Sequence, residues 1–148
     1  MALEAGAGLV LVTDAKTSAR MGRIRQSDTE AELAVRQCLH SLGLRYRVRN
    51  RDLPGSPDIA NRTRKWVVFV HGCFWHQHSG CRRATFPKRN RHFWRSKFKA
   101  NVLRDARCRD ELEAYAYRVI VVWECETACP RLLRAKLRRA LRGIRGRS

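Results

Sequence analysis

Acidic residues are scarce in this sequence. Its 148 residues include 13 aspartates and glutamates against 32 lysines and arginines, which leaves a formal net charge of +19. Arginine dominates the basic residues, and its planar guanidinium group binds phosphate through paired hydrogen bonds. The imbalance therefore indicates a polyanionic partner. A contribution of the charge to solubility alone is the alternative.

Long apolar runs are also lacking. A membrane-spanning helix needs about 20 apolar residues, and a run such as Leu9 to Val12 is far shorter. The sequence carries no recognisable secretory signal either. Both absences favour nucleic acid over a membrane as the partner. We expect a cytoplasmic protein that associates with the nucleoid.

The six cysteines do not predict disulfides, because a reducing cytoplasm keeps thiols free. Cys38 lies among apolar helix residues and Cys108 lies in a charged stretch, so we expect both to be ordinary thiols. Other cysteines lie near histidines in the sequence, which is typical of a metal site.

The chain has the length of one domain. Residues 1–20 carry small residues without a lasting period and are expected to be a disordered leader. Residues 143–148 are expected to form a basic tail. A single domain is therefore assigned to residues 21–142.

Three helices are predicted. Ser27-Asp28-Thr29-Glu30 has the spacing of a capping box, and apolar residues then repeat at helical intervals until Gly43. The second helix is predicted over Phe93 to Tyr115. A third begins with Pro130 at its first position, and its apolar residues are Leu132, Leu133, Leu137 and Leu141.

Four strands complete the predicted order αβββαβα. They are expected at Tyr46 to Val48, from Asp58, at Trp66 to Val70 and at Val119 to Trp123. The run from Trp66 is apolar on both faces, which is typical of a central strand covered by helices. The fold class is therefore α/β, with a central mixed sheet flanked by helices.

The segment from Gly72 to about Asn90 has no period and concentrates metal-ligand residues. Cys73-x4-His78-x2-Cys81 supplies three ligands that suit zinc. A bound metal ion would stabilise such a long irregular loop. Scattered thiols and an exposed histidine are the alternative interpretation.

A fourth zinc ligand is expected from Cys125, which follows a buried strand, with Cys129 as its competitor. Four protein ligands close a tetrahedron and leave no place for water. The zinc is therefore expected to stabilise the loop and to take no part in hydrolysis.

Pro57-Asp58 opens a strand, and a second buried strand follows about a dozen residues later. This is the skeleton of the PD-(D/E)xK nuclease core, although alone it is a weak signal. The acid and lysine that usually end the second strand are absent, and Val70, His71 and Gly72 stand in their place.

Four segments resemble the very-short-patch repair (Vsr) mismatch endonucleases, which carry a modified form of this restriction-endonuclease-like core. The resemblance covers roughly residues 19–127, and its zinc loop has Ser79 and Gly80 between His78 and Cys81 where family members have one residue. The segments are Met21-Gly22-Arg23-Ile24, Leu53-Pro54-Gly55-Ser56-Pro57-Asp58, Val68-Phe69-Val70-His71-Gly72-Cys73-Phe74-Trp75-His76 and Val121-Val122-Trp123-Glu124-Cys125.

The resemblance implies a catalytic magnesium ion. Asp58 would bind it through its carboxylate, and Val70, where the family commonly has threonine, would bind it through the main-chain carbonyl. His76 would activate the attacking water, His71 would act near the phosphate, and Glu32 would orient a water on the metal. The non-catalytic alternatives are that Asp58 caps a turn, that Glu32 is a solvated helix residue and that His76 binds zinc.

The resemblance also implies a way to recognise a mismatch. Phe74 and Trp75 are large rings in a polar loop and are expected to intercalate between base pairs. The alternative is that Trp75 or Trp94 packs under the loop. Trp94 matches a tryptophan of the family's aromatic wedge, and Met21 and Ile24 match residues that approach from the other groove. Three residues four apart along one helix face match positions that contact DNA around the mismatch, although their spacing alone suggests only a solvated helix face: Lys97, Asn101 and Asp105.

Taken together, the resemblance implies a zinc-stabilised, magnesium-dependent endonuclease that nicks duplex DNA beside the thymine of a T·G mismatch formed by 5-methylcytosine deamination. Mismatch-repair proteins are further candidate partners, and a monomer is expected. One alternative is a restriction or defence nuclease of other specificity. The other is a zinc-bearing DNA-binding module without catalysis.

Overall fold

The computed structural model describes residues 28–144. The predictions for the leader, Met21, Ile24, Ser27 and residues 145–148 lie outside this range. The helices are α1 (Glu30–Ser41), α2 (Arg91–Ala114) and α3 (Pro130–Ala140), and a 3-10 helix covers Glu124–Ala128. The strands are β1 (Arg47–Val48), β2 (Ile59–Asn61), β3 (Trp66–His71) and β4 (Arg118–Trp123). The predicted order is confirmed.

Helix α1 begins two residues later than the predicted capping box. Thr29 is the N-cap, and its hydroxyl accepts a hydrogen bond from the Glu32 backbone N–H at 3.2 Å. The Glu32 carboxylate in turn accepts from the Asp28 backbone N–H at 2.9 Å. The two residues thus have the capping-box spacing at the later site. The helix ends as predicted before Gly43, whose φ of +73° suits glycine.

The sheet is mixed, as predicted, with strand order β1-β2-β3-β4. The first three strands pair antiparallel; residues 49–58 connect β1 to β2, and residues 62–65 connect β2 to β3. Strands β3 and β4 are parallel, and α2 forms the crossover between them. Their register places His71 beside Trp123 at the last position of each strand. Both strands therefore deliver their next residues to one edge of the sheet.

Helices cover both faces of the central strand. One buried cluster joins Trp66 and Val68 to Leu39 of α1 and Leu137 of α3. A smaller cluster joins Val67 to Leu112 of α2 and to Ala60. The alternate burial of β3 residues against opposite faces confirms the prediction for this strand.

The apolar face of α3 differs from the prediction at one position. Leu133, Leu137 and Leu141 are buried, whereas Leu132 is 67 % exposed. The buried three repeat every four residues, and Leu132 lies about 100° around the helix from Leu133.

No helix in the part of the chain that the structure describes is long and apolar enough to span a membrane.

Candidate metal centre and nuclease site

Four predicted zinc ligands lie together at the edge where β3 and β4 end. The ligand atoms of Cys73, His78, Cys81 and Cys125 all lie within 4.8 Å of one another. The His78 Nδ1 atom is 3.7 Å from the Cys73 Sγ and 3.5 Å from the Cys125 Sγ. Tetrahedral zinc with bonds of about 2.3 Å to sulfur and 2.0 Å to nitrogen separates such atoms by about 3.5 Å. The donor set and spacing therefore fit zinc.

Short backbone hydrogen bonds shape the loop that carries three of these ligands. The His78 N–H donates to the Cys73 carbonyl at 2.9 Å, and the Cys81 N–H donates to the His78 carbonyl at 3.2 Å. The extra residue of the Ser79-Gly80 pair is absorbed in the second turn. Gly80 has a φ of +71° and open space where a Cβ would lie. The insertion leaves His78 and Cys81 in one cluster.

The cluster distinguishes the competing ligands. Cys125 lies in the 3-10 helix after β4 and joins the cluster. Cys129 is exposed at the N-cap of α3 and is not part of it. Burial raises the pKa of the Cys73 thiol to about 12, so a bound cation is needed to keep this sulfur as a thiolate at neutral pH.

A second cluster lies beside the first and contains His71, His76 and Asp105. The two imidazole rings are parallel within 1°, with centroids 3.9 Å apart. The His76 Nδ1 and an Asp105 carboxylate oxygen are 2.6 Å apart. These ligand atoms also lie within 4.8 Å of one another. However, imidazole lone pairs lie in the ring plane, so two stacked rings cannot both point at one ion. The geometry suits proton transfer better than metal binding.

Burial keeps His71 neutral. It is 7 % exposed, and this burial, together with the neighbouring His76, lowers its pKa to about 4. At neutral pH its imidazole is therefore uncharged and offers one N–H donor and one acceptor.

Two carboxylates lie near these histidines. Asp58 accepts a hydrogen bond from the Val70 backbone N–H at 2.7 Å, and so joins the start of β2 to the end of β3. Burial, opposed by that hydrogen bond and assisted by the negative charge of Glu32, raises the pKa of Asp58 to about 6. Glu32 is only 6 % exposed, and burial raises its pKa as well. Two buried carboxylates close enough to repel each other fit a divalent cation.

Neither non-catalytic alternative fully describes these two residues. Glu32 is buried and is not a solvated helix residue. Asp58 accepts a hydrogen bond from the backbone of the neighbouring strand, so its role is not limited to its own turn. His76 is held by Asp105 and lies outside the zinc-type cluster.

The carboxylates and histidines line one open cleft of about 1810 Å³. The start of α1, the end of β3, the middle of α2 and the 3-10 helix form its walls. Predicted site residues that line it are Glu32, Asp58, Val70, His71, Trp75, His76, Lys97, Asn101 and Asp105.

The predicted wedge residues belong to an aromatic cluster against α2. The Phe74 ring contacts those of Trp75, Trp94 and Phe98, with centroids 5.0 to 5.5 Å apart. Phe74 and Trp75 are half-buried, whereas Trp94 is 5 % exposed. In this structure Trp94 thus packs under the loop, as the alternative interpretation held.

Three predicted DNA contacts lie along α2 in different environments. Lys97 is exposed. Asn101 is 6 % exposed, and its side-chain amide donates to the Trp75 carbonyl at 3.0 Å. Asp105 faces His76. DNA contact by these residues stays a prediction, and Asn101 and Asp105 already hold parts of the loop.

The pairing of Asp105 with His76 was missed at the level of sequence. One signal was available: residues 59–104 contain no aspartate or glutamate, so Asp105 is the first acid after Asp58. The contact of Trp123 with both clusters was also missed. Its ring stacks on His78 and meets His71 edge-on, and no spacing rule predicts such a contact.

Known proteins resemble this chain over most of its length. The family described as DNA mismatch endonuclease Vsr matches residues 10–83. The type II nicking enzyme V.XorIIP of Xanthomonas oryzae is 47 % identical over 121 residues, which is 82 % of this chain and 88 % of that protein. The type II nicking enzyme V.NmeAIP of Neisseria meningitidis is 41 % identical over 91 % of this chain and 96 % of its own length.

The DNA mismatch endonuclease Vsr of Escherichia coli is 39 % identical over 111 residues, which is 75 % of this chain and 70 % of that protein. The stretch matched by the family contains Asp58, both clustered histidines and three of the four zinc-type ligands. Cys125 and Asp105 lie beyond that stretch but within the structure's two clusters. The chain therefore belongs to the Vsr family of DNA mismatch endonucleases and is itself an endonuclease.

Proposed function

We propose that this endonuclease nicks one strand of duplex DNA beside the thymine of a T·G mismatch, and that the reaction requires magnesium. The observation that carries the catalytic part is the His76–Asp105 pair, 2.6 Å apart, in the same cleft as Asp58. The match to the Vsr family supports the substrate.

His76 acts as the general base in this proposal. Its Nδ1–H donates to Asp105, which leaves Nε2 with a free lone pair to accept a proton from the attacking water. The negative charge of Asp105 then stabilises the imidazolium that forms. The water oxygen bonds to phosphorus as the bond to the leaving oxygen breaks.

The other polar groups hold the reacting phosphate and the cation. Asp58 and the Val70 main-chain carbonyl would bind magnesium, and Glu32 would orient water beside them. The ion, when bound, stabilises the negative charge that develops on the phosphate oxygens. The neutral His71 donates a hydrogen bond to the phosphate. Loss of the threonine hydroxyl at Val70 does not affect a main-chain ligand.

Zinc, bound by Cys73, His78, Cys81 and Cys125, has a structural role in this proposal. All four positions of the tetrahedron come from protein. Metal analysis of protein purified without chelator is expected to give close to one zinc per chain. A preparation with no bound zinc and full activity would refute the assignment.

Mismatch recognition is assigned to the aromatic loop and the basic start of α2. Phe74 and Trp75 would enter the base stack, where a mismatch costs less to open than a paired step. Trp94 would follow if DNA binding exposes it, and Lys97, Asn101 and Asp105 would contact the surrounding DNA. Met21 and Ile24, which lie outside the described range, are also proposed to contact the DNA.

The remaining assignments follow the same resemblance. The mixed sheet, with Asp58 directly before β2, supports a restriction-endonuclease-like core, and we assign the single domain to residues 21–142. We propose a monomer associated with the nucleoid, with mismatch-repair proteins as candidate partners.

A restriction-associated nicking enzyme of other specificity is the second candidate. It is supported by the similarity to proteins named type II nicking enzymes. The test compares duplexes bearing T·G, other mismatches and T·A in one sequence, with and without magnesium. The mismatch proposal expects rapid nicking of T·G alone, and only with magnesium. Equal cutting of T·G and T·A would favour the second candidate, and binding without any cutting would favour a non-catalytic module.

A further inference from the structure

One column of rings joins the zinc-type cluster to the catalytic histidines. The Trp123 ring lies on His78 with centroids 4.2 Å apart and planes within 8°. The Trp123 ring also meets the His71 ring edge-on, with centroids 5.2 Å apart and planes at 72°. His71 then stacks on His76 at 3.9 Å. Trp123 is therefore the link between a zinc-type ligand and the pair that performs the chemistry.

The backbone of Trp123 is fixed as firmly as its ring. Its register partner across the parallel strands is His71. Its N–H donates to the Glu126 carboxylate at 2.8 Å. The Lys136 ammonium of α3 binds that carboxylate at 2.6 Å and the Val121 carbonyl at 2.8 Å. Helix α3 thus anchors the end of β4 from outside the cleft.

We propose that Trp123 is a positioning residue of the nuclease site, which holds His71, and through it His76, at a fixed distance from the zinc-type cluster. The proposal rests on the proposed catalytic role of the two histidines. It adds that the Cys/His cluster affects catalysis through a ring contact as well as through loop stability.

The physical reason lies in the shape of the contact. The Trp123 ring stacks on His78 and meets His71 edge-on, and both arrangements are favourable for aromatic pairs. Replacing it by a smaller side chain leaves a gap that the histidines can move into. A displacement of about 1 Å in a catalytic group can lower the rate by about 100-fold.

The test compares Trp123→Leu with Trp123→Phe. Single-turnover nicking of a T·G duplex at saturating DNA and magnesium is expected to be about 10- to 100-fold slower in Trp123→Leu. The dissociation constant for the same duplex without magnesium is expected to stay within about 3-fold, because the ring faces histidines. Trp123→Phe keeps a stacking ring and is expected to recover most of the rate.

A spectroscopic measurement separates positioning from general stability. Of the four tryptophans, all of which the structure describes, Trp123 is the one stacked on a zinc-type ligand. Removal of zinc by a chelator is expected to change the tryptophan emission of the unaltered protein, and much of that change is expected to vanish in Trp123→Phe. Trp123→Leu is expected to lose zinc to the chelator several-fold faster.

Tyr117→Leu is the matched control, since it removes a ring just before β4, at the opposite end of the strand. It is expected to nick at the unaltered rate. The inference is overturned if Trp123→Leu nicks as fast as the unaltered protein, or if Trp123→Phe is as slow as Trp123→Leu. Absence of nicking by the unaltered protein would instead refute the proposed function.

Discussion

The stretch from His71 to Cys81 contributes to two neighbouring clusters that differ in composition and in ring geometry. In the Cys/His cluster, the ligand atoms of Cys73, His78, Cys81 and Cys125 all lie within 4.8 Å of one another. In the His/Asp cluster, His71 and His76 stack face to face, and Asp105 binds the edge of His76. Histidines two residues apart, His76 and His78, thus receive different roles from their partners.

The two clusters divide stability from activity. A cation bound by the Cys/His cluster would satisfy every ligand there and stabilise the loop. The neighbouring cleft buries Glu32, Asp58 and His71, whose pKa values are all shifted towards the neutral forms. Such burial costs folding free energy and is typical of sites prepared for a charged substrate or metal.

The largest expected effect is a loss of nicking activity that leaves the Cys/His cluster intact. Asp58→Ala is expected to reduce nicking by about 1,000-fold or more, because it removes the carboxylate proposed to bind magnesium. Zinc content and DNA affinity are expected to be unchanged. Rates on a T·G duplex and binding isotherms measure this, with the exposed Asp52→Ala as the control. Intact nicking by Asp58→Ala would show that the catalytic assignment is wrong.

Cys125→Ser tests the other cluster against Cys129→Ser. Loss of one proposed zinc ligand is expected to empty the site after dialysis and to lower Tm by about 10 °C. The exposed Cys129 lies four residues later, and its substitution is expected to leave zinc content and Tm unchanged. Metal analysis and thermal melts check both. The reverse result would assign the fourth ligand to Cys129.

Asp105→Asn decides between two roles for one carboxylate. As the partner of His76, it is expected to slow single-turnover nicking by about 100-fold, because the amide cannot stabilise an imidazolium. DNA affinity is expected to stay nearly constant. Asp110→Asn, at an exposed position of the same helix, serves as the control. If affinity falls while the rate at saturating DNA is preserved, Asp105 acts as a DNA contact.

Asp58→Asn tests how much the buried Asp58 carboxylate lowers the free energy of unfolding, and how this effect depends on pH. The pKa of Asp58 is raised from 3.8 to about 6, so the folded state binds the extra proton between these values. This contribution to stability therefore falls as pH rises from about 4 to 6. Without magnesium, the variant is expected to be more stable by about 1–3 kcal/mol at pH 7, with the difference shrinking towards pH 4. Thermal melts over this range, with and without magnesium, measure it.

Asp52→Asn gives a control of opposite sign. The pKa of Asp52 is lowered to about 2 by its hydrogen bonds with Arg62, so its contribution is present above pH 4 and is lost as pH falls. The variant is expected to be less stable than the unaltered protein at pH 7, with the difference shrinking as pH falls from about 4 to 2. If the stability of Asp58→Asn and of the unaltered protein depends on pH in the same way, burial does not raise the pKa of Asp58.

Much of the fold could be predicted because its signals are local. The run from Trp66 is apolar on both faces, and the structure buries it from both sides. Pro130 marks the first turn of α3 because a first-turn residue needs no N–H donor. The start of α1 was misplaced because Thr29 and Glu32 repeat the capping spacing of Ser27 and Glu30. Leu132 was misassigned because a run of two leucines does not reveal which one faces the core.

The sequence predicted most residues of the candidate site but few of the contacts between them. Cys73, His78 and Cys81 are close in sequence, so their spacing alone suggests a shared ligand. Asp105 and His76 are 29 residues apart, and whether that aspartate meets DNA or an imidazole depends on how α2 crosses the sheet edge. The burial of Asn101 and Trp94 depends on the same packing.

The sequence by itself determined the element order, the family and three of the zinc-type ligands, Cys73, His78 and Cys81, because periodicity and close spacing are properties of the chain. Only the tertiary structure decided that Cys125 joins them and Cys129 does not, that His71 and His76 stack, that Asp105 contacts His76 and that Trp123 joins the two clusters. These contacts depend on the parallel register of β3 and β4 and on the position of α2. Both are set by packing between residues far apart in the chain, which no local pattern encodes.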